Sequence, residues 1–105
     1  MDEISVNDPL DDLIDRADRA LSVMHDATEM LSALRIVRRS PDGLATVTVD
    51  GSGAMVDLYL QPDLSRESAT QLENSIVVTA AEAAGEALRR RAAVLERMQS
   101  SLSDT

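Results

Sequence analysis

At 105 residues the chain has room for one domain, and it carries no Trp, no Phe, no Cys and a single aromatic residue, Tyr59. That composition excludes a core built on large aromatic side chains, a disulfide framework and a thiolate metal centre. The net charge of −9 repels polyanions such as nucleic acid and acidic lipid headgroups, and all ten basic residues are Arg. Alanine supplies much of the apolar set, and small alanine faces suit closely approaching helices and burial against a second subunit. The N-terminus has no basic region followed by an apolar run, and no window approaches the roughly 20 apolar residues of a membrane span. The expected location is the cytoplasm, without a membrane partner.

The first element is a helix. Asp8-Pro9 reads as its start, because Asp8 can cap free amides, Pro9 suits the first turn, and Asp11 and Asp12 complement the positive dipole end. Leu10, Ala17, Met24 and Leu31 recur every seven residues. Leu13, Ala20, Ala27 and Leu34 repeat three positions later, completing an a/d seam that Ile14 and Leu21 widen. A 3.5-residue period predicts packing against a long partner helix.

From residue 35 to 60 the period changes to two. Residues 35–40 are short and β-branched, and Pro41-Asp42-Gly43 is a turn. Residues 44–50 alternate, with Ala45, Val47 and Val49 on one face. Gly51-Ser52-Gly53 is a second turn. Residues 54–60 set Val56, Leu58 and Leu60 against Met55, Asp57 and Tyr59. This predicts a three-stranded antiparallel meander. Gln61-Pro62-Asp63-Leu64 breaks it, Ser65 is a good N-cap with Glu67 in the first turn, and one long helix to about Ser100 is expected. Ala69, Leu72, Ile76, Ala80, Ala83, Ala87, Val94 and Met98 follow helical spacing, with Val77, Ala84, Leu88 and Leu95 alongside. The expectation is thus an α+β single domain over residues 1–105, with flexible tails at 1–8 and 100–105. A helix on the order of 50 Å overhangs a sheet of about 20 Å, so two-fold self-association is expected. Leu10, Leu13, Ala17, Ala20, Met24, Leu31, Ala80, Ala83, Ala84 and Ala87 are the candidate dimer interface.

Residues 43–51, GLATVTVDG, resemble the glycine, alternating valine strand and Asp-Gly turn of the YbaB/EbfC family of bacterial nucleoid-associated proteins. Leu60-Gln61-Pro62-Asp63-Leu64 is similar to that family's strand end and x-Pro-x-Leu break. Val78-Thr79-Ala80-Ala81-Glu82-Ala83-Ala84 is similar to its alanine-rich last helix. The resemblance implies an intertwined homodimer with helices projecting like tweezers, DNA binding, and a role in chromosome organisation or gene regulation. The charge departs from the family pattern. Relatives often carry Lys- and Met-rich first helices, whereas Met1 to Leu34 here holds nine acidic residues against Arg16 and Arg19. Some actinobacterial relatives are accessory factors of specialised secretion. Two readings therefore stand: a DNA-associated dimer, and an acidic dimeric adaptor for a basic protein partner.

Candidate DNA contacts are Arg89, Arg90, Arg91 and Arg97, with Arg35, Arg38 and Arg39 as a second cluster. Each has a structural alternative. Glu86 is placed to pair with Arg89 or Arg90, and Arg35 can serve the dipole of the first helix. Asp8, Asp11, Asp12, Asp15 and Asp18 are spread along a helix rather than converging on a loop, so no metal site is expected. His25 has no evident catalytic partner, and Gly51-Ser52-Gly53 lacks the lysine and following helix of a phosphate loop. No enzyme activity and no cofactor are expected.

Overall fold

The structure, a computed structural model, describes residues 3–62 and 69–104, with side chains in the first helix from Pro9 onward. The elements are α1 (Glu3–Ala33), β1 (Arg35–Arg39), β2 (Ala45–Asp50), β3 (Met55–Leu60) and α2 (Ala69–Ser103). Helix, three-stranded antiparallel sheet and long helix follow one another as the periodicities predict. The proposed cap at Ser65, Glu67 and the Asp63-Leu64 part of the break lie outside the described residues. The helix ends differ from expectation. α1 begins at Glu3, so Pro9 stands inside the helix rather than at its first turn. Proline there removes the backbone donor that would reach the carbonyl four residues back, and its ring crowds that carbonyl, a cost of about 3 kcal/mol to the turns before it. α2 continues to Ser103, past the expected end near Ser100.

The sheet order is β1-β2-β3, and β1 and β3 are both edges. In β1–β2, Ile36 lies opposite Val49 and Arg38 opposite Val47. In β2–β3, Val47 lies opposite Leu58 and Thr46 opposite Tyr59, with a bulge where Thr48 and Val49 meet Asp57 and Met55. Val56 is the residue left over there, and it marks the bend in the edge strand.

Two aspartates build the turns. Asp42 accepts from Ser40 Oγ (2.6 Å) and the Leu44 amide (3.1 Å), and Ser75 Oγ on α2 donates to its other oxygen. The β1–β2 hairpin is thereby tied to the last helix. Asp50 accepts from the Ser52 amide and hydroxyl and from the Ala54 amide. Gly53 in the same turn has φ +86°, a region closed to most side chains. Gly51 is needed for space, since a Cβ on it would stand 2.8 Å from the Leu31 carbonyl oxygen of α1.

The core is small. Ile36, Val47 and Val49 pack against Ala83 and Ala87, with Leu34 and Ala80 at its border. α2 lies over β1 and β2, and every residue of β3 except the half-buried Leu60 is exposed. Ala83 and Ala87 have no exposed surface in the single chain. Their methyl groups serve the chain's own helix–sheet contact. Ala80 borders the same contact, and a Cβ on Gly53 would stand 3.4 Å from the Ala84 methyl group. Beyond the sheet α1 returns antiparallel along α2, with Val23, Ala27 and Met30 beside Val94 and Met98. The chain measures 84 × 19 × 14 Å with a radius of gyration of 22.6 Å, against about 13 Å for a compact domain of this size.

Two predictions follow from this packing. Ala83→Leu forces a larger side chain into a closed helix–sheet contact, and should cost about 1–3 kcal/mol in urea unfolding. An unchanged midpoint would mean that the contact is looser than described. Asp42 and Asp50 are both held below the ordinary aspartate value, chiefly by the Ser40 and Ser52 hydroxyls respectively. A depressed native value stabilises the fold above the unfolded pKa, near 4, and that contribution is lost as pH falls through and below it. The thermal unfolding midpoint should therefore fall from pH 5 to pH 3, and Asp42→Asn should flatten the dependence while lowering stability at pH 7.

Candidate nucleic-acid interface

The junction where α1 ends, the meander begins and α2 passes brings together arginines distant in sequence. Arg35 stands just beyond α1, and its Nη1 donates to the Leu34 (2.8 Å) and Ser32 (3.3 Å) carbonyls, serving orphan acceptors at the helix end. Two open grooves flank it. One, of about 440 Å³, is lined by Arg35 and Arg91 with the hydroxyl residues Thr28, Ser32 and Ser52, and by Leu31, Asp50 and Gly51. The other, of about 410 Å³, is lined by Arg35, Arg90 and Arg97 with Met30, Ala33, Leu34, Ala93 and Val94. Arg97 also borders a smaller cleft between the two helices, facing Asp26. Arg35, Arg90, Arg91 and Arg97 thus surround one helix–sheet junction.

The other candidates are placed differently. Arg38 shares the inner face of β1 with the core and reaches over to α2, where it pairs with Glu82 (3.3 Å) and Glu86 (3.1 Å). Arg90 pairs with the second oxygen of Glu86 at 3.3 Å. The two sequence clusters are therefore joined through a carboxylate. Arg39 folds onto Gly43 at the opposite hairpin, and Arg89 lies beside Gly85; neither lines the junction grooves. Among the described residues Arg91 and Arg97 make no ion pair.

Sequence reasoning found the arginines but missed the clamp that Glu82 and Glu86 make on Arg38. The i, i+4 spacing of Glu86 and Arg90 signalled half of it. The other half needs the register of β1 under α2. The hydroxyls of Thr28, Ser32 and Ser52 were also missed, because nothing in sequence spacing brings residue 28 to residue 52. Among the described residues no three His, Asp or Glu side chains converge to hold a metal ion. No described helix is long and apolar enough to cross a membrane.

The fold is that of a small α+β protein with a long helix on either side of a meander, and four of its arginines line the grooves at one junction. The chain belongs to the YbaB/EbfC DNA-binding family, whose model matches residues 7–102. Members of that family are DNA-binding proteins without enzymatic activity. Among solved structures the chain is similar to the uncharacterized protein HP0035 from Helicobacter pylori. The TM-score is 0.58 at 17% identity, over 82% of this chain and 98% of that one, which shows a shared fold. No curated protein matches the chain.

Glu86 offers a direct check on the site. Glu86→Gln removes a carboxylate that holds both Arg38 and Arg90, so DNA affinity at low salt should rise by roughly two- to tenfold. Equal affinity of variant and wild type in a filter-binding titration would place those two arginines outside the contact surface.

Proposed function

We propose that the protein acts as a homodimer that binds the phosphate backbone of DNA with little sequence preference. The observation that carries this reading is the convergence of Arg35, Arg90, Arg91 and Arg97 on one junction, in a chain that belongs to a DNA-binding family. Arg91 and Arg97 need no rearrangement to meet a phosphate, whereas Arg90 and Arg38 first leave Glu86. Arg39 and Arg89, outside the grooves, contribute long-range attraction. Guanidinium groups pair bidentately with phosphate oxygens, and the hydroxyls beside Arg35 and Arg91 add donors. Phosphate contacts fix position and register without reading bases.

Dimerisation rests on what α2 leaves uncovered. β3 is an open edge strand, and Val56 and Leu58 stay exposed although Leu58 lies on the core side of the sheet. Val77 and Val78, early in α2, are exposed as well. An edge with apolar side chains is a template for a further strand, and a two-fold pairing along β3 would extend the sheet with a second copy. This moves the proposed interface from the alanines of α2, and from the seam of α1, to β3 and the start of α2.

Gel-shift titration with duplex DNA of mixed sequence tests the reading. Binding should weaken steeply with salt. The Arg35→Ala/Arg91→Ala/Arg97→Ala variant should lose most of the affinity and flatten the salt dependence, by about one unit of slope per lost phosphate contact. Leu58→Asp should sediment as a monomer and bind more weakly. A triple variant that shifts DNA as wild type does, or no shift at low salt, would refute the proposal.

A further inference from the structure

One large surface is used neither by the core nor by the arginine junction. α1 contacts α2 through Val23, Ala27 and Met30, beside Val94, Met98 and Ser101 near the end of α2. N-terminal to that contact α1 runs on alone. Residues 9–19 are exposed on every face, and with the turns before them form an overhang of about 25 Å. Along it Leu10, Leu13 and Ile14 form an apolar stripe that Leu21 and Met24 continue toward the contact with α2, and Leu21 is 64% exposed. At about 100° per residue Leu10, Ile14 and Leu21 point about 100° or more away from Ala27 and Met30, the residues facing α2, and α2 leaves them uncovered. Apolar stripes of this length are unusual on free surfaces.

The border of the stripe specifies what fits it. Asp11 and Asp18, one heptad apart, flank Ile14 and Leu21, and Asp15 lies just behind them. Between residues 9 and 19 four aspartates stand against Arg16 and Arg19. A second copy of the same overhang would bring four more aspartates to a surface that already carries four. A nucleic acid would meet the same repulsion.

We propose that this overhang of α1 docks a basic amphipathic helix of another protein. The partner's apolar seam would cover Leu10, Leu13, Ile14 and Leu21, and its Lys or Arg side chains would meet Asp11 and Asp18. This surface is separate from the arginine junction and does not depend on DNA binding. Helix-in-groove recognition of this kind takes affinity from the apolar anchors and partner choice from the flanking charges.

The test uses fluorescence anisotropy with two labelled helical peptides of about three heptads, sharing one Leu/Ala seam, with lysine flanking it in one and glutamate in the other. The full chain should prefer the lysine peptide by at least about tenfold. Leu10→Asp/Leu13→Asp should abolish binding. Asp11→Lys/Asp18→Lys should reverse the preference toward the glutamate peptide. All four positions are exposed, and far-UV circular dichroism confirms that each variant keeps its helix. The DNA affinity of Leu10→Asp/Leu13→Asp should remain that of wild type, which separates this surface from the junction. Failure to bind either peptide, equal binding of both, or lysine-peptide binding that survives Leu10→Asp/Leu13→Asp overturns the proposal. So does self-assembly beyond a dimer that the same variant abolishes.

Discussion

The contact between the alanine face of α2 and the Ile36, Val47 and Val49 face of the sheet sets the terms for everything else in this chain. Ala83 and Ala87 present only methyl groups, so the helix settles close to β1 and β2, close enough that a Cβ on Gly53 in the β2–β3 turn would meet Ala84 at 3.4 Å. Close approach has a consequence. Methyl groups bury little area, at about 0.8 kcal/mol for each buried carbon unit, and a narrow helix face covers two strands rather than three. The third strand and both overhanging helix segments are left with apolar side chains facing outward. The exposed surfaces are therefore a direct result of how the core is made, and they fall at fixed places: along β3, on the first turns of α2, and on the free part of α1.

The architecture was open to reading because each element announces its own period. The valine alternation of β2, the Pro-Asp-Gly and Gly-Ser-Gly turns and the proline-free alanine helix depend on local physics alone. The site was less open. A periodic stripe says that residues share a face but not which neighbour takes that face, so Ala83 and Ala87 read equally as interface or core until β2 is seen beneath them. The heptad seam of α1 has the same ambiguity. Its Ala27 is buried near α2 while Leu10, Leu13 and Met24 remain exposed. Pro9 misled for another reason. Proline favours the first turn without forbidding a helix from starting earlier, and α1 begins at Glu3.

The arginine junction shows why clustering in sequence and clustering in space differ in meaning. Arg89, Arg90 and Arg91 are consecutive, so they diverge around the helix. Arg91 enters the groove beside Ser52, Arg90 lies on the other side of Arg35, and Arg89 joins neither. Arg35 unites the set, because the end of α1 fixes its backbone while its guanidinium serves the helix carbonyls. Glu86 then sets how much of that charge is available. Half-exposed ion pairs contribute little to stability, so the Arg38–Glu86–Arg90 bridge can open at small cost when a stronger anion arrives.

A net charge of −9 opposes DNA at long range, but electrostatic attraction at contact is read locally. At physiological ionic strength charges are screened beyond about 8 Å, unless low-dielectric protein lies between them. Asp11, Asp15 and Asp18 stand eight to fifteen residues up α1 from Asp26, the acid that borders the cleft of Arg97. At 1.5 Å per residue that separation is on the order of 12–22 Å, more than one screening length. Around the junction Arg35, Arg38, Arg90, Arg91 and Arg97 stand against Asp26, Asp50, Glu82 and Glu86, a slightly positive local balance in place of the −9 of the whole chain. The acidic overhang weighs on long-range approach and on solubility far more than on contact. The same length that leaves α1 without a neighbour also keeps its aspartates away from the arginines. An elongated chain can thus carry two surfaces of opposite sign, whereas a compact domain of this size would force them to cancel.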